Sequence, residues 1–374
     1  MSNINSCPGQ RYYWHELDSL RGLAALAVFF SHLLGTHPIV EQYQGFPRFL
    51  WDGAAAVDLF FVLSGFVLYG SSSFSGQDSL LRDYPAFLIK RIFRLYPLLL
   101  VSLGIGLLCY AAASPLAQNT DLSDWARSQW ARPPSLVDWL KNSALILPGT
   151  DAKAINPAIW SLAIEMKISL FLPVLFVLVY RLRLLTLLAL MLLLSVAVLG
   201  YQRLLPGLLI WCLPFVAGAW LAKYQDTFRQ RLAMFSRRAW MAFIALAVIL
   251  YGNRYTLPQH AQPTLCILLS SVGSVMLVLV AIRHAGVSAG LRHPILRYVG
   301  KISYGLYLLH MPLLFLIVSC VPAGTPLPLT AAITLGITVL VAHPLHRWVE
   351  QPGIRWGRAW SAWWSARWVS RQPG

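Results

Sequence analysis

Apolar residues in this chain gather into ten runs, each close to the ~20 residues that a helix needs to cross a bilayer. The runs fall at about 17–35, 53–71, 96–114, 158–180, 183–201, 205–223, 238–256, 264–283, 300–320 and 327–347. Hydrophobic residues make up 57% of the sequence and charged ones 12%, about half the charged share of a soluble domain. A soluble core has no means of absorbing that much apolar surface. The expected fold is an all-α membrane protein, with about ten transmembrane helices in one bundle over residues 1–374. The Trp, Tyr and Phe content suits aromatic belts at the two membrane surfaces.

The formal net charge of +16 would point to nucleic acid in a soluble protein. Here the charge is sorted by loop. With the N-terminus inside, only Arg48, Arg127, Arg132, Lys141, Lys153, Arg203 and Arg254 fall on the outer side, and Lys167 lies within a run. Every other Lys and Arg is cytoplasmic, which puts both termini inside and removes the nucleic-acid reading. The longest loop, about 115–157, then faces outward with Trp125, Trp130 and Trp139. Within it, Ser135–Leu147 reads as a short interfacial helix. The stretch 350–374 alternates Trp with Arg and reads as a cytoplasmic tail forming an amphipathic surface helix on anionic lipid. The first residues lack a basic n-region, so the first run is expected to be an uncleaved anchor. Cys7, Cys109, Cys212, Cys266 and Cys320 form no CxxC pair, and neither a disulfide framework nor a zinc site is expected.

Ionisable residues inside the runs carry the functional signal, because hydrocarbon tolerates them only where they face protein or water. Arg21 and His32 are eleven positions apart, ~3 helical turns, and so share one face ~16 Å apart along the axis. The plainer alternatives are an Asp18–Arg21 ion pair at i, i+3 and a histidine bonded to a backbone carbonyl. Asp58 lies in AAAVDLFFVLSGF and Glu165 in WSLAIEMKISLFLP, where Lys167 points to a different helix face. Depth assigns His32, Asp58 and Glu165 to the outer half of the membrane, where they are expected to build one polar site. Arg91 and Arg94 in AFLIKRIFRLYP precede the third run. They read either as positive-inside anchors or as an anion clamp. The ninth run, GKISYGLYLLHMPLLF, brings in Ser303, Tyr304, Tyr307 and His310, with Pro312 placed to kink it. Those polar groups serve either helix packing or catalysis. His343 and His346 have no other ligand type near them before Glu350, and no metal site is expected.

Taken in order, these blocks resemble the family-3 integral membrane acyltransferases, the group that includes O-antigen and exopolysaccharide O-acetyltransferases. LDSLRGLAALAVFFSH matches the opening Arg, ten residues, His spacing through Arg21 and His32. AAAVDLFFVLSGF matches a second block through Asp58, Ser64 and Gly65, with Ala56 in place of the usual Gly. FLIKRIFRLYP matches the Arg-x-x-Arg block through Arg91 and Arg94, and WSLAIE a fourth through Trp160, Ser161 and Glu165. ISYGLYLLH matches a late block through Ser303, Tyr304, Tyr307 and His310, and Glu350 and Pro352 resemble the closing Glu-x-Pro.

The resemblance implies an acyl-CoA co-substrate, most often acetyl-CoA, held on the cytoplasmic side by Arg21, Arg91 and Arg94. It implies His32 as general base, poised by Asp58 or Glu165. Ser64, Trp160, Ser161, Ser303, Tyr304 and His310 would support the site, and an acyl-enzyme on a side chain such as Tyr304 is an alternative route. The acceptor would be a hydroxyl of a carbohydrate or glycoconjugate at the outer side of a bacterial inner membrane. Composition alone leaves a rival of another class, a transporter or flippase with the same polar residues lining its path.

Overall fold

The computed structural model describes residues 14–38, 51–71, 77–113, 115–119, 121–147, 152–183, 206–255, 257, 263–322 and 324–369. Every regular element among them is helical. The long helices are α1 (His15–Gly35), α2 (Gly53–Ser71) and α3 (Gln77–Ala112). Two short helices follow, α4 (Asp124–Arg127) and α5 (Leu136–Ala144). Then come α6 (Ile159–Arg181), α7 (Pro206–Lys223), α8 (Gln225–Leu232), α9 (Arg237–Tyr251), α10 (Pro263–Arg283) and α11 (Ala285–Leu291). The chain continues through α12 (Pro294–Cys320), α13 (Leu327–Leu345), a π turn over His346–Glu350, and α14 (Gln351–Val369).

Seven helices among the described residues are long and apolar enough to cross a membrane. They correspond to seven of the ten expected spans. Of the other three, 205–223 is α7, whose apolar stretch is shorter, and 238–256 is the 15-residue α9. The span expected at 183–201 lies almost wholly outside the described residues. The third helix begins well before its apolar run, so Arg91 and Arg94 sit within a helix of the bundle rather than in a flanking anchor.

With no hydrophobic force between helices in lipid, close backbone approach supplies the packing, and small residues permit it. A Cβ on Gly65 would lie 2.0 Å from the Phe215 carbonyl oxygen, and one on Gly218 2.0 Å from that of Val62, so α2 and α7 cross in backbone contact. Gly22 and Gly300 do the same for α1 and α12. α12 is the central helix, buried along most of its length between α1, α3 and α13. Its Pro312 has no N–H for the carbonyl of Leu308 four residues back. That carbonyl accepts instead from Asn156 Nδ2 at 2.7 Å, which ties the long loop to α12.

The loop also closes one end of α1. Ser123 donates its N–H to the Thr36 carbonyl (2.9 Å) and its hydroxyl to that of Gly35 (2.7 Å), while its Oγ caps α4 through the Ala126 N–H. The interfacial helix expected within 135–147 is α5. It opens with a capping box in which Ser135 and Asp138 bond reciprocally, and Arg132 grips the Asp138 carboxylate with two bonds of 2.6 and 2.7 Å. These bonds from Arg132 and Ser135 hold the Asp138 carboxyl well below the usual carboxylate range.

Two predictions follow from this packing. Gly65→Ala or Gly218→Ala destabilises the purified protein by about 1–3 kcal/mol, read as a lower melting temperature. Gly336→Ala, with nothing within 4 Å of the added Cβ, does not. Because the folded Asp138 carboxyl titrates below its unfolded value of about 4, its contribution is complete above that pH and fades as pH falls further. Asp138→Asn therefore weakens amide protection of α5 at pH 7 by about 1 kcal/mol, and hydrogen exchange shows the difference shrinking below pH ~4.

Candidate active site

Charge is concentrated at one end of the bundle, where a cavity of about 650 Å³ opens between α1, α2, α3, α12 and α14. Arg21, Lys90, Arg91, Arg94, Lys301 and Arg358 line it, together with Asp18, Asp83 and Glu350. A smaller cavity of about 80 Å³ lies deeper and shares Arg21, Arg91 and Arg94 with it. Its other walls are Phe60, Ser64, Ser161, Glu165, Ser303, Tyr304 and Tyr307, among neighbouring apolar side chains. Five of the matched blocks therefore meet in one chamber.

Two of its arginines are already paired. Arg91 meets Glu165 at 2.5 Å and donates through Nε to Ser169 at 3.2 Å. Ser64 approaches the same carboxylate at 3.5 Å. Arg94 pairs with Glu350, which His346 also contacts at 2.7 Å, and lies over the Tyr304 ring at 5.4 Å. Neither guanidinium is held open as an anion clamp, one of the two readings that the Arg-x-x-Arg spacing left. Arg21 differs. It lies in the field of Asp18 and Glu165 yet has no hydrogen bond or ion pair among the described residues, and it faces both cavities.

The expectation that Asp58 or Glu165 poises His32 is corrected. His32 Nδ1 lies 3.1 Å from His310 Nε2, with the rings stacked at 5.2 Å, and its other face stacks on Trp125 of the long loop at 5.6 Å. The hydrogen bonds fix the tautomers. His310 Nδ1 is 2.7 Å from the Tyr307 carbonyl, which can only accept, so that nitrogen carries the proton. The Nε2 of neutral His310 then accepts from His32 Nδ1–H, and the Val28 carbonyl, one turn back on α1, also meets the His32 ring. His310 is buried, whereas His32 is half-buried at the rim covered by Trp125. The histidine pair adjoins the small cavity through Tyr307, whose hydroxyl bonds Ser161 at 2.6 Å and whose ring lies 5.7 Å from His310.

Asp58 lies elsewhere. Fully buried, it meets Arg254 at 3.2 Å and the Ser270 hydroxyl, and Arg254 also approaches Asp52, the residue at the head of α2. This cluster pins the α9–α10 connection to α2, outside both cavities. Trp160 packs on Trp211 and also lines neither. Tyr304 donates to the Leu95 carbonyl at 2.7 Å, and Ser303 to that of Gly300 at 2.8 Å. Sequence reasoning missed Trp125 as a partner of His32 and Arg254 as the partner of Asp58. Neither is near its partner in sequence, and no motif marks them.

The chain matches the acyltransferase-3 family, described as an acyltransferase domain, over residues 14–347. It belongs to that family. It is also 24% identical to "Acyltransferase MdmB" of Streptomyces mycarofaciens over 329 residues, covering 79% of this chain and 77% of the relative. It is 32% identical to "Protein 2 in picA locus" of Rhizobium radiobacter over 176 residues, covering 44% of this chain and 83% of that protein. No solved structure matches it. Between the enzyme and the transporter left open by composition, family membership decides for the enzyme: this is a multi-pass membrane acyltransferase.

Asp58→Ala leaves the Arg254 guanidinium only its longer contact with Asp52 and is expected to cost about 1–3 kcal/mol of stability. Turnover per folded molecule, measured on the monodisperse fraction, stays within a few-fold of wild type. A normal melting temperature with abolished turnover would return Asp58 to the chemistry.

Proposed function

We propose that this acyltransferase moves an acyl group, most often acetyl, from cytoplasmic acyl-CoA to a hydroxyl of a carbohydrate or glycoconjugate at the outer side of a bacterial inner membrane. The observation that carries the reading is the pairing of two half-sites along α1. An arginine with no ion pair among the described residues faces a basic cavity at one end, and His32, its Nδ1 turned to His310, stands ~16 Å away at the other. The excess of Lys and Arg at the cavity end supports a cytoplasmic location for that end and for both termini.

The chemistry then divides by residue. The cavity cations hold the phosphates of the donor, and Arg21 stands where its pantetheine arm leaves for the inner chamber. That chamber is small and walled by aromatic rings, which suits a short acyl group. His32 Nε2 takes the proton of the acceptor hydroxyl as its oxygen attacks the thioester carbonyl. The coenzyme A thiolate leaves and recovers that proton from the imidazolium. His310 accepts from His32 Nδ1–H throughout, which holds the ring in the productive tautomer. Tyr307 and Ser161 separate the chamber from the histidine pair in this structure, so they are the side chains that shift to admit the thioester.

His32→Ala is expected to fold and insert normally but to lose transfer by about 10²–10⁴-fold. Mass spectrometry of surface glycans from the host, with and without the gene, reads the outcome. One acyl increment is lost on deletion, restored by wild type and not restored by His32→Ala. Near-normal acylation by His32→Ala would overturn the base assignment.

A further inference from the structure

The large cavity has a wall that lies mostly beyond the matched region and the closing Glu350-x-Pro352 block. The match ends at residue 347, whereas Glu350, Gln351, Ile354, Arg358 and Ser365 of the π turn and α14 all line the cavity. The stretch expected as a surface helix is, through Val369, a helix that packs along α3. Two glycines bring it there. A Cβ on Gly353 would come within 2.7 Å of the Phe93 carbonyl, and one on Gly357 within 2.7 Å of the Phe93 Cβ and 3.5 Å of the Lys90 Cα. Pro97 leaves the Phe93 carbonyl without its helical N–H partner, and a side chain on α14 is excluded at that point. Arg358, the next residue, thus leaves α14 beside Lys90. On the opposite face, Trp356, Trp360 and Trp363 are exposed.

Cation bookkeeping separates the walls. Arg91 and Arg94 are neutralised by Glu165 and Glu350. Lys90, Lys301 and Arg358 come from α3, α12 and α14 and have no ion pair among the described residues. All three are solvated at the cavity rim. A cavity of this size matches a nucleotide-sized ligand, and three unpaired cations from three helices suit a ligand with several phosphates.

We propose that α14 is part of the acyl-donor site, with Arg358, Lys90 and Lys301 binding the phosphates of coenzyme A while Arg91 and Arg94 hold the helices in register. The assignment rests on the acyl-CoA reading above. It moves phosphate binding away from the Arg-x-x-Arg block and gives the C-terminal helix a role in substrate affinity.

The test is calorimetric binding of coenzyme A and of phosphate-free pantetheine to the purified full-length protein, with melting temperatures as a folding control. Arg358→Gln and Lys301→Gln each weaken coenzyme A binding about tenfold or more and leave pantetheine binding unchanged. Arg355→Gln, the same change on the same helix but outside the cavity, binds as wild type does. Wild-type affinity for coenzyme A in both Arg358→Gln and Lys301→Gln would overturn the α14 assignment alone. Equal weakening by Arg355→Gln would also overturn it, by showing a general charge effect. A wild-type protein that binds no coenzyme A would overturn the donor reading and this assignment together.

Discussion

A charge inside an apolar bundle is tolerated only where an opposite charge or a wet cavity meets it. The helices here are arranged around that requirement. Arg91 and Glu165 join α3 to α6, Arg94 and Glu350 join α3 to the turn after α13, and Asp58 with Arg254 joins α2 to the connection before α10. At the basic end, Arg292 and Ser288 close on Glu16 and lock α11 to the start of α1. Each pair fixes the rotation of two elements as well as their proximity. Apolar faces alone would leave that rotation loosely specified. Glycine contacts at Gly65, Gly218, Gly22 and Gly300 then set how closely the pinned helices approach.

Pairing also explains where function is left. Once those partners are assigned, Arg21 is left facing two cavities with no ion pair among the described residues, and His32 is left between His310 and Trp125. The Leu308 carbonyl freed by Pro312 is held from outside the helix by Asn156, within the segment of α12 that carries Tyr307 and His310. The long loop is consequently more than a cover. It caps α1 through Ser123, meets the freed Leu308 carbonyl through Asn156 and stacks on the His32 ring through Trp125. A device that orders the histidine pair from one side and a basic cavity from the other suits a transfer between compartments.

Much of this was legible in the sequence, and the parts that were not share a cause. Run length and charge gave the helical membrane class, and the spacing of Arg21 and His32 placed them on one helix face. The blocks around Arg91, Glu165 and Tyr307 do line one chamber. Partner identity was not legible. Depth placed His32, Asp58 and Glu165 at one level, but level says nothing of helix rotation. The true partners lie 278, 196 and 74 residues away respectively. Hydropathy likewise began the third span too late, because paired arginines lower the score of a helical turn that the bundle nonetheless encloses. The C-terminal Trp and Arg alternation was read as a lipid-surface pattern. Its glycines, which let the helix pack on α3, carried no signal without Phe93 opposite them.

The central claim is that donor and acceptor meet the protein from opposite sides and react at His32. The most direct test reconstitutes the purified protein in vesicles of uniform orientation and supplies labelled acetyl-CoA to one face at a time. Label should reach a glycan acceptor held on the far side only when the donor meets the Lys- and Arg-rich face, and His32→Ala should abolish that transfer. Equal transfer with donor on either face, or transfer only to acceptors on the donor's own side, would contradict the account.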